Sequence, residues 1–159
     1  MAPPTTTQLQ EVMDLMTDAW SAGDGQGFGA AFTNTAHFVA FDGTLLEGSG
    51  AIAKFHQSAF DRHLQGTRLV TSVTGTLAIG ENVVLVFTKG GIESKSGSAV
   101  GLTGASVQTM AVVLQDGKAR IQAFQNTRHR PITDEDSARV WREFDQQWNE
   151  RARSPERET

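Results

Sequence analysis

Few side chains in this sequence could carry acid–base or nucleophilic chemistry. Its 159 residues include no tyrosine and no cysteine, so neither a phenol nor a thiolate is available as an acid, a base or a nucleophile. The histidines and the carboxylates remain, and any proton transfer must involve one of them. The histidines are His37, His56, His63 and His129.

His56 is the first catalytic candidate because it shares the apolar stripe of a helix predicted over residues 50–64. An imidazole on such a stripe points into a core or a cavity, where burial lowers its pKa and favours the neutral form that can accept a proton. A core histidine satisfied by one hydrogen bond would occupy the same position, and both interpretations stay open. The other apolar positions of the stripe are Ile52, Phe55, Ala59 and Phe60.

The other histidines offer weaker chemistry. His63 lies on the same stripe near the helix end, where a cation complements the dipole. His37 begins a strand and could face either side, and His129 is expected to be solvated. His56 and His63 are about two turns apart, too far to chelate a metal as a His-Glu-x-x-His pair does. No metal and no other cofactor is expected.

Asp42 is the best-placed carboxylate and the second catalytic candidate, at a strand end near the mouth of the expected cavity. The dipeptide Asp42–Gly43 is also a strong turn signal, which explains the aspartate without a catalytic role. Asp61 and Arg68 are expected to pair across a helix–strand junction, as a structural ion pair.

Neutral hydrogen-bonding side chains lie near the end of the last predicted strand. Side chains alternate between the faces of a strand, so Gln125 and Thr127 share one face, and Phe124, Asn126 and Arg128 share the other. The set that points inward would place hydrogen-bonding groups in an apolar pocket, and such groups orient a bound ligand. Alternatively, these side chains form hydrogen bonds with backbone groups at the end of the sheet.

Two helices are predicted before the strands. Apolar residues at helical spacing predict a helix over about 7–22, with Thr7 and Gln10 as a capping box and Gly23 at its end. Asp24 is expected to cap a short second helix. The apolar residues expected on that short helix are Phe28, Ala31 and Phe32.

The remainder of the main body has a β pattern. Four long candidate strands in succession, the last two joined by Asp116–Gly117, predict an antiparallel meander with helices on one face, an α+β fold. The segment 90–105, rich in glycine and serine, is expected to be a flap or an extended hairpin tip. The predicted strands are 37–41, 44–47, 67–77, 82–92, 106–115 and 118–128.

A final amphipathic helix follows Pro131, with Thr133 as its cap. Its apolar stripe includes two tryptophans, so it must dock, either on its own body or across a dimer interface, where tryptophan is enriched. The expected organisation is a barrel domain over 1–131, this helix over 132–153 and a disordered tail over 154–159. The stripe consists of Val140, Trp141, Phe144 and Trp148.

Composition excludes several classes of protein. With a net charge of −4 and no basic stretch, the chain lacks the footprint of a nucleic-acid binder. No apolar run approaches the roughly 18 residues that cross a bilayer. The N-terminal residues lack the pattern of a signal peptide, so the cytoplasm is the expected location. Neither a Walker loop nor a Rossmann fingerprint occurs.

The order of several short motifs, spread over about residues 8–130, resembles the SgcJ/EcaC-type family of the nuclear-transport-factor-2-like superfamily. The resemblance implies a cone-shaped α+β barrel, usually a homodimer, with a pocket between the sheet and the long helices. It also implies an accessory role in the biosynthesis of enediyne polyketides. The motifs are Trp20–Asp24, Ala31–Thr33, Phe41–Thr44, Glu47–Gly48, Ala51–His56, Gly66–Leu69, Asp116–Gly117 and Ala123–Arg128.

The ligand that the resemblance implies is a hydrophobic, polyketide-like molecule, and contact with a polyketide synthase or thioesterase is a further expectation. The catalytic tyrosines and aspartates of ketosteroid isomerase, scytalone dehydratase and limonene epoxide hydrolase have no counterparts that can be mapped here. The expected pocket residues are Trp20, Phe32, Phe41, Phe60, Arg68, Thr109, Gln125 and Asn126.

Two functional hypotheses follow. The chain could be an enzyme that isomerises, dehydrates or cyclises a polyene or polyketide intermediate, with His56 as general acid or base and Thr109, Gln125 or Asn126 polarising an oxygen. Alternatively, it could be a non-catalytic protein that binds and shields a reactive polyene.

Overall fold

A computed structural model describes residues 2–96, 106–129 and 133–153. The chain divides into two compact units, Met1–His129 and Arg130–Thr159. In the described part of the second unit, Asp134–Arg153 form a helix. The docking of its apolar stripe stays a prediction, as does the expected boundary between residues 131 and 132. The predicted tail over 154–159 lies outside the described residues.

The first helix, α1, spans Thr6–Ala22 and begins slightly earlier than predicted. Thr5 is its N-cap and forms the capping box with Gln8, so the predicted pair Thr7 and Gln10 is wrong. Several threonines in succession offer equivalent hydroxyls, and the local pattern does not select among them. The helix ends at Gly23, as predicted, with a φ of 66° in the left-handed region.

The second helix, α2, spans Gly25–Gly29 and is capped by Asp24, as predicted. Phe32 does not continue this helix but begins strand β1, Phe32–Val39, which starts earlier than the predicted 37–41. The reason is long-range: β1 pairs in parallel with the last strand, and side-chain hydrogen bonds join the two strands. The polar residues at the start of β1 resemble a loop when taken alone, and pairing with the last strand makes them part of a strand.

The helix α3 spans Ser49–Arg62, in place of the predicted 50–64. Of its predicted apolar stripe, Ile52, His56 and Phe60 are buried, whereas Phe55 is 42% exposed. His63 is also exposed, so its predicted place on the buried stripe is wrong. His63 is the C-cap residue, one position beyond the last helical residue.

The strands form one six-stranded sheet in the order β2-β1-β6-β5-β4-β3. The strands β3 to β6 pair antiparallel in succession, which confirms the predicted meander and the α+β class. Asp116 and Gly117, with φ of 52° and 74°, form the predicted hairpin turn between β5 and β6. The bounds are Leu45–Glu47 for β2, Thr67–Ala78 for β3, Val83–Ser94 for β4, Ser106–Gln115 for β5 and Lys118–Arg128 for β6.

Part of the predicted flap over 90–105 is strand, because β4 continues through Ser94 and pairs with the start of β3. Residues 97–105 lie outside the described residues. At Gly90, the backbone of β3 comes so close that an added Cβ would collide with the carbonyl oxygen of Val70. The two strands can approach this closely because position 90 has no side chain.

The helices α1, α2 and α3 cover one face of the sheet, which we call the inner face, and the core of the first unit lies between these helices and the sheet. Alternate residues of β4, β5 and β6 point into it. Trp20 on α1 also donates from Nε1 to Thr67 Oγ1, at 3.0 Å, and so ties the end of this helix to the start of β3. The largest fully buried side chains are Phe28, Met16, Ile52, Met110 and Ile121.

Gly90→Ala is expected to lower the free energy of unfolding by at least about 2 kcal/mol, because the new methyl group cannot be placed without moving β3. Urea denaturation measures this loss. Gly80→Ala is the matched control, since nothing lies within 4 Å of a Cβ there, and it should change stability by less than about 0.5 kcal/mol. Similar losses in the two variants would contradict the close approach at Gly90.

Candidate functional site

His56 lies inside a cluster of aromatic rings and is only 4% exposed. Its ring centroid is 4.1 Å from that of Phe28, 5.1 Å from that of Phe38 and 6.0 Å from that of Trp20. These rings come from α2, β1 and α1, so the histidine of α3 is the point at which four elements meet. We call this group, together with Phe60, the aromatic cluster.

The ring of His56 has one polar partner among the described residues. Nδ1 lies 2.8 Å from the carbonyl oxygen of Ile52, which can only accept, so Nδ1 carries the proton and Nε2 carries the lone pair. Burial lowers the pKa of His56 from 6.5 to about 4, and the Ile52 bond offsets this only partly. The imidazole is therefore neutral at pH 7 and a weak base. This geometry is that of a core histidine satisfied by one hydrogen bond.

The aromatic cluster continues along β6 into a row of polar side chains. Phe38 stacks on Phe124, with centroids 4.5 Å apart and rings 4° from parallel. Asn126 is the next residue on the same face of β6, about 7 Å further along the strand. Asn126 is half-buried, so the set of last-strand residues that points inward is Phe124, Asn126 and Arg128.

Three neighbouring strands contribute to this row, which we call the amide row: Thr88, Gln108 and Asn126. Thr88 Oγ1 donates to Gln108 Oε1 at 2.6 Å, and Gln108 Nε2 donates to Asn126 Oδ1 at 3.1 Å. Gln108 Nε2 also donates to Ser106 Oγ at 2.9 Å. Thr88 and Gln108 are buried, so these neutral polar groups occupy an otherwise apolar face.

Thr71 adds a hydroxyl that the described residues leave unsatisfied. It lies on the inner face of β3, between Leu69 and Val73 in the alternation of that strand. Its Oγ1 is buried and has no hydrogen-bond partner among the described residues. A buried polar atom without a partner is uncommon in folded proteins and costs stability. It is therefore an available donor and acceptor beside the amide row.

Partly exposed apolar side chains surround these polar groups. Leu69 and Ile92 face each other across β3 and β4 and are half-buried. Val73, which faces Thr88, is 46% exposed. At the far end of β6, the guanidinium of Arg128 lies 4.9 Å above the ring of Phe41. Apolar walls around a few convergent hydrogen-bonding groups are typical of a small-molecule site.

Several residues predicted for the site lie elsewhere. Thr109 and Gln125 face each other across β5 and β6 and are exposed on the outer face, opposite the aromatic cluster. Arg68 binds Glu93 at 2.9 Å, so its predicted pairing with Asp61 is wrong. Arg68 and Glu93 are direct cross-strand neighbours. Glu93 is therefore closer to Arg68 than Asp61, which lies near the end of α3.

Asp42 and Phe41 lie in the exposed turn after β1. Asp42 Oδ1 accepts from the backbone N–H of Thr44 at 2.9 Å, and this bond lowers the pKa of the carboxyl. Turn chemistry thus accounts for Asp42. Of the other predicted pocket residues, Trp20, Phe32 and Phe60 are buried in the core.

The other histidines do not join the site. His37 Nε2 lies 3.1 Å from Glu47 on an exposed part of the sheet, and His63 and His129 are exposed. Within the described residues, no group of three or more histidine and carboxylate side chains could hold a metal ion. No helix in the described part of the chain is long and apolar enough to cross a membrane.

Sequence reasoning missed Thr71, Thr88 and Gln108. The available signal was a polar residue at an alternate position of an otherwise apolar strand: Thr88 follows Val84 and Val86, and Gln108 precedes Met110 and Val112 on the same face. A polar residue among inward-facing apolar residues indicates a buried polar group, which needs a hydrogen-bond partner.

No protein-family model and no curated protein matches this chain. A domain of unknown function with a cystatin-like fold from Nostoc punctiforme is 28% identical, with a TM-score of 0.73 over 94% of this chain and 99% of that one. Aln2 from a Streptomyces species is 18% identical, with a TM-score of 0.66 over 84% and 94%. An NTF-2-like protein of unknown function from Shewanella oneidensis is 12% identical, with a TM-score of 0.64 over 77% and 98%.

These likenesses, together with the sheet and helices described above, show that the chain has the cystatin-like, nuclear-transport-factor-2-like fold. The fold that the sequence resemblance implied is thereby confirmed. The narrower SgcJ/EcaC-type assignment stays a prediction.

His56 should make stability depend on pH. Its pKa is about 4 in the folded chain and 6.5 when unperturbed, so the unfolded chain binds more protons between these values. The free energy of unfolding should therefore be unaffected above pH 6.5 and fall by about 3 kcal/mol as the pH drops to 4. His56→Phe, which keeps an aromatic ring, should remove this part of the pH dependence.

The measurement is urea denaturation at several pH values between 4 and 7.5. His63→Gln, which changes an exposed histidine, is the control and should keep the wild-type profile. A His56→Phe profile as steep as that of the wild type would show that His56 is not the buried neutral base described here.

Proposed function

We propose that this chain binds a neutral, largely apolar small molecule over the amide row and holds it without catalysing a reaction. The observation that carries the proposal is the buried, unpartnered hydroxyl of Thr71 beside Thr88, Gln108 and Asn126. A ligand oxygen that reached this hydroxyl would satisfy a group that has no partner among the described residues.

The chemistry of the site supports a neutral ligand. Thr71 and the amide row carry no charge, and the surrounding Leu69, Val73 and Ile92 are apolar. A charged group placed over Thr71 and the amide row would lose its hydration without gaining an opposite charge from these side chains. Arg128, which also points to this face, lies over the ring of Phe41 at the end of β6. An amide and a hydroxyl can instead bind a carbonyl or hydroxyl of the ligand, while the apolar rim covers its hydrocarbon part.

The ligand class that we propose is a polyene or polyketide intermediate, which is mostly hydrocarbon with a few oxygen atoms. The proposed context is an accessory role in enediyne polyketide biosynthesis, and this context rests on the sequence resemblance. A fold shared with Aln2 from a Streptomyces species is compatible with this role. Contact with a polyketide synthase or thioesterase belongs to the same proposal.

Catalysis by His56 is the second candidate function. It is favoured by the neutral Nε2 lone pair, which makes no hydrogen bond to the described residues. Against it stands a pKa of about 4, well below the value near the working pH that suits a general base. The aromatic cluster also supplies no second acid or base, so the binding function is the better supported of the two.

Thr71→Val tests the binding site because it removes the hydroxyl and keeps the shape. The affinity for the polyene product of an enediyne polyketide synthase should fall about five- to tenfold, the cost of one hydrogen bond. The free energy of unfolding of the unliganded protein should rise by about 1 kcal/mol, since an unsatisfied group is removed. Fluorescence or absorbance titration and urea denaturation measure the two effects.

Thr109→Val is the matched control, because Thr109 lies on the outer face, and it should bind like the wild type. Equal affinities for the Thr71→Val and wild-type proteins would reject Thr71 as a ligand contact. Mass spectrometry of bound and free polyene separates the two functions. Unchanged polyene on the protein supports binding alone, whereas a converted product that disappears in His56→Phe but not in His129→Gln supports catalysis.

We also propose that the chain forms a homodimer, as the resemblance implies, and that the outer face of the sheet is its interface. This face exposes Val70, Leu77, Phe87 and Val107 on three adjacent strands. Lys89 and Thr109 lie among them on the same face. Several exposed apolar side chains on one face of a sheet favour an interaction site.

Phe87→Glu is expected to shift the protein from dimer to monomer, because it replaces the one exposed aromatic side chain named on this face with a charge that the interface would have to desolvate. Sedimentation velocity at several concentrations measures the change. Glu81→Gln, on the exposed turn before β4, should leave the dimer intact. A wild-type protein that sediments as a monomer would reject the dimer.

A further inference from the structure

A surface groove of about 810 Å³ lies apart from the amide row and is not used by the proposed function. Its walls come from α2, α3, the start of β1 and the β5–β6 hairpin turn. Its volume lies in the range of small-molecule sites. The charged residues that line it are Lys54, Asp116, Lys118 and Arg120.

Close packing of α2 on α3 shapes one wall of the groove. A Cβ at Gly29 would lie 2.7 Å from the Cβ of Ala53, so the two helices approach through residues with little or no side chain. Gln57 fixes this arrangement, because its Oε1 accepts from the backbone N–H of Gly25 at 2.8 Å. The wall is therefore formed by fixed backbone and small side chains, next to Lys54.

The hairpin turn supplies the opposite wall and most of the charge. Asp116 and Gly117 form a tight turn with positive φ at both residues, and Lys118 and Arg120 follow at alternate positions of β6. Residues two apart on a strand point to the same side. The turn thus directs two cations toward the groove, and Lys54 on α3 adds a third.

The charge of the groove opposes that of the whole protein. Three cations and one carboxylate line it, in a chain whose net charge is −4. Among the described residues, none of Lys54, Lys118 and Arg120 forms an ion pair. The Arg120 guanidinium donates to the carbonyl oxygen of Ala119 at 2.8 Å, which satisfies one donor but leaves the charge unbalanced.

We propose that this groove binds a small organic anion, with a phosphate or carboxylate group held by Lys54, Lys118 and Arg120. A guanidinium presents a planar fork that suits either group, and the two ammonium groups add point charges. The neutral amides of Gln26 and Asn34 also line the groove and can bind the uncharged part of the ligand. This site is independent of the apolar ligand proposed above.

Inorganic pyrophosphate and citrate are the probes, titrated by isothermal titration calorimetry at constant ionic strength. Lys54→Gln and Lys118→Gln should each weaken binding at least about fivefold, because each removes one charge near the anion. Asp116→Asn should tighten binding several-fold, because it removes the carboxylate of the groove. Asparagine followed by glycine suits the same turn, so this variant is expected to fold.

Lys89→Gln is the matched control, since Lys89 is exposed on β4 and does not line the groove. It should bind like the wild type, as should Thr71→Val. Saturable binding of either probe with this pattern supports the site, and the preferred probe identifies the anion class. The proposal is overturned if neither probe binds, if Lys89→Gln weakens binding as much as Lys118→Gln, or if Asp116→Asn does not tighten it.

Discussion

The contact of His56 with its aromatic neighbours joins the parts of this fold that the sequence keeps far apart. Phe28 comes from α2, Phe38 from β1 and Trp20 from α1, and each ring packs against the same imidazole on α3. The sheet joins this group through Phe38, which stacks on Phe124 of β6. Each ring excludes water from the others, so the helices, β1 and the meander become one core. An imidazole can serve here because one hydrogen bond to Ile52 satisfies it while it remains neutral.

The same constraint determines which chemistry the inner face can support. A centre that must stay dry to hold the elements together cannot stabilise a charged intermediate, and the low pKa of His56 expresses that cost. Beyond the aromatic cluster the strands carry a row of polar side chains, and these bond mainly to one another, as Thr88, Gln108 and Asn126 do. The unpartnered hydroxyl of Thr71 departs from this rule. A buried hydroxyl that no described residue satisfies is a candidate for contact with a ligand.

The sequence predicted those elements whose ends are marked by local turn or cap residues. Strands β5 and β6 follow from their composition and from the Asp116–Gly117 turn, and α1 ends at Gly23 because the chain needs a left-handed residue there. Strand β1 was only partly predicted, because its early residues are polar and become a strand only by pairing with β6. Because β1 and β6 are far apart in the sequence, the residues around β1 alone do not indicate this pairing.

The candidate site was harder to predict than the fold for a related reason. Alternation along β6 showed that Gln125 and Asn126 face opposite ways, but the choice of inward residue depends on the packing of Phe124 against Phe38. Thr109 was predicted as a pocket residue and lies outside, whereas its neighbour Gln108 lies inside, since a shift of one residue reverses the face. His56 and its burial could be predicted from helical spacing alone, because a helix carries its own period.

The two proposed sites lie at opposite ends of one hairpin, and this separation limits what the protein can bind. Gln108 of β5 belongs to the amide row, and Gln115 at the other end of the same strand lines the basic groove. Seven residues of extended strand separate them by about 24 Å. A single ligand that filled both sites would have to be at least that long, and the packed side chains of the core lie between the two sites. The neutral inner site and the basic outer groove therefore select different molecules, and a substitution in one leaves the recognition chemistry of the other unchanged.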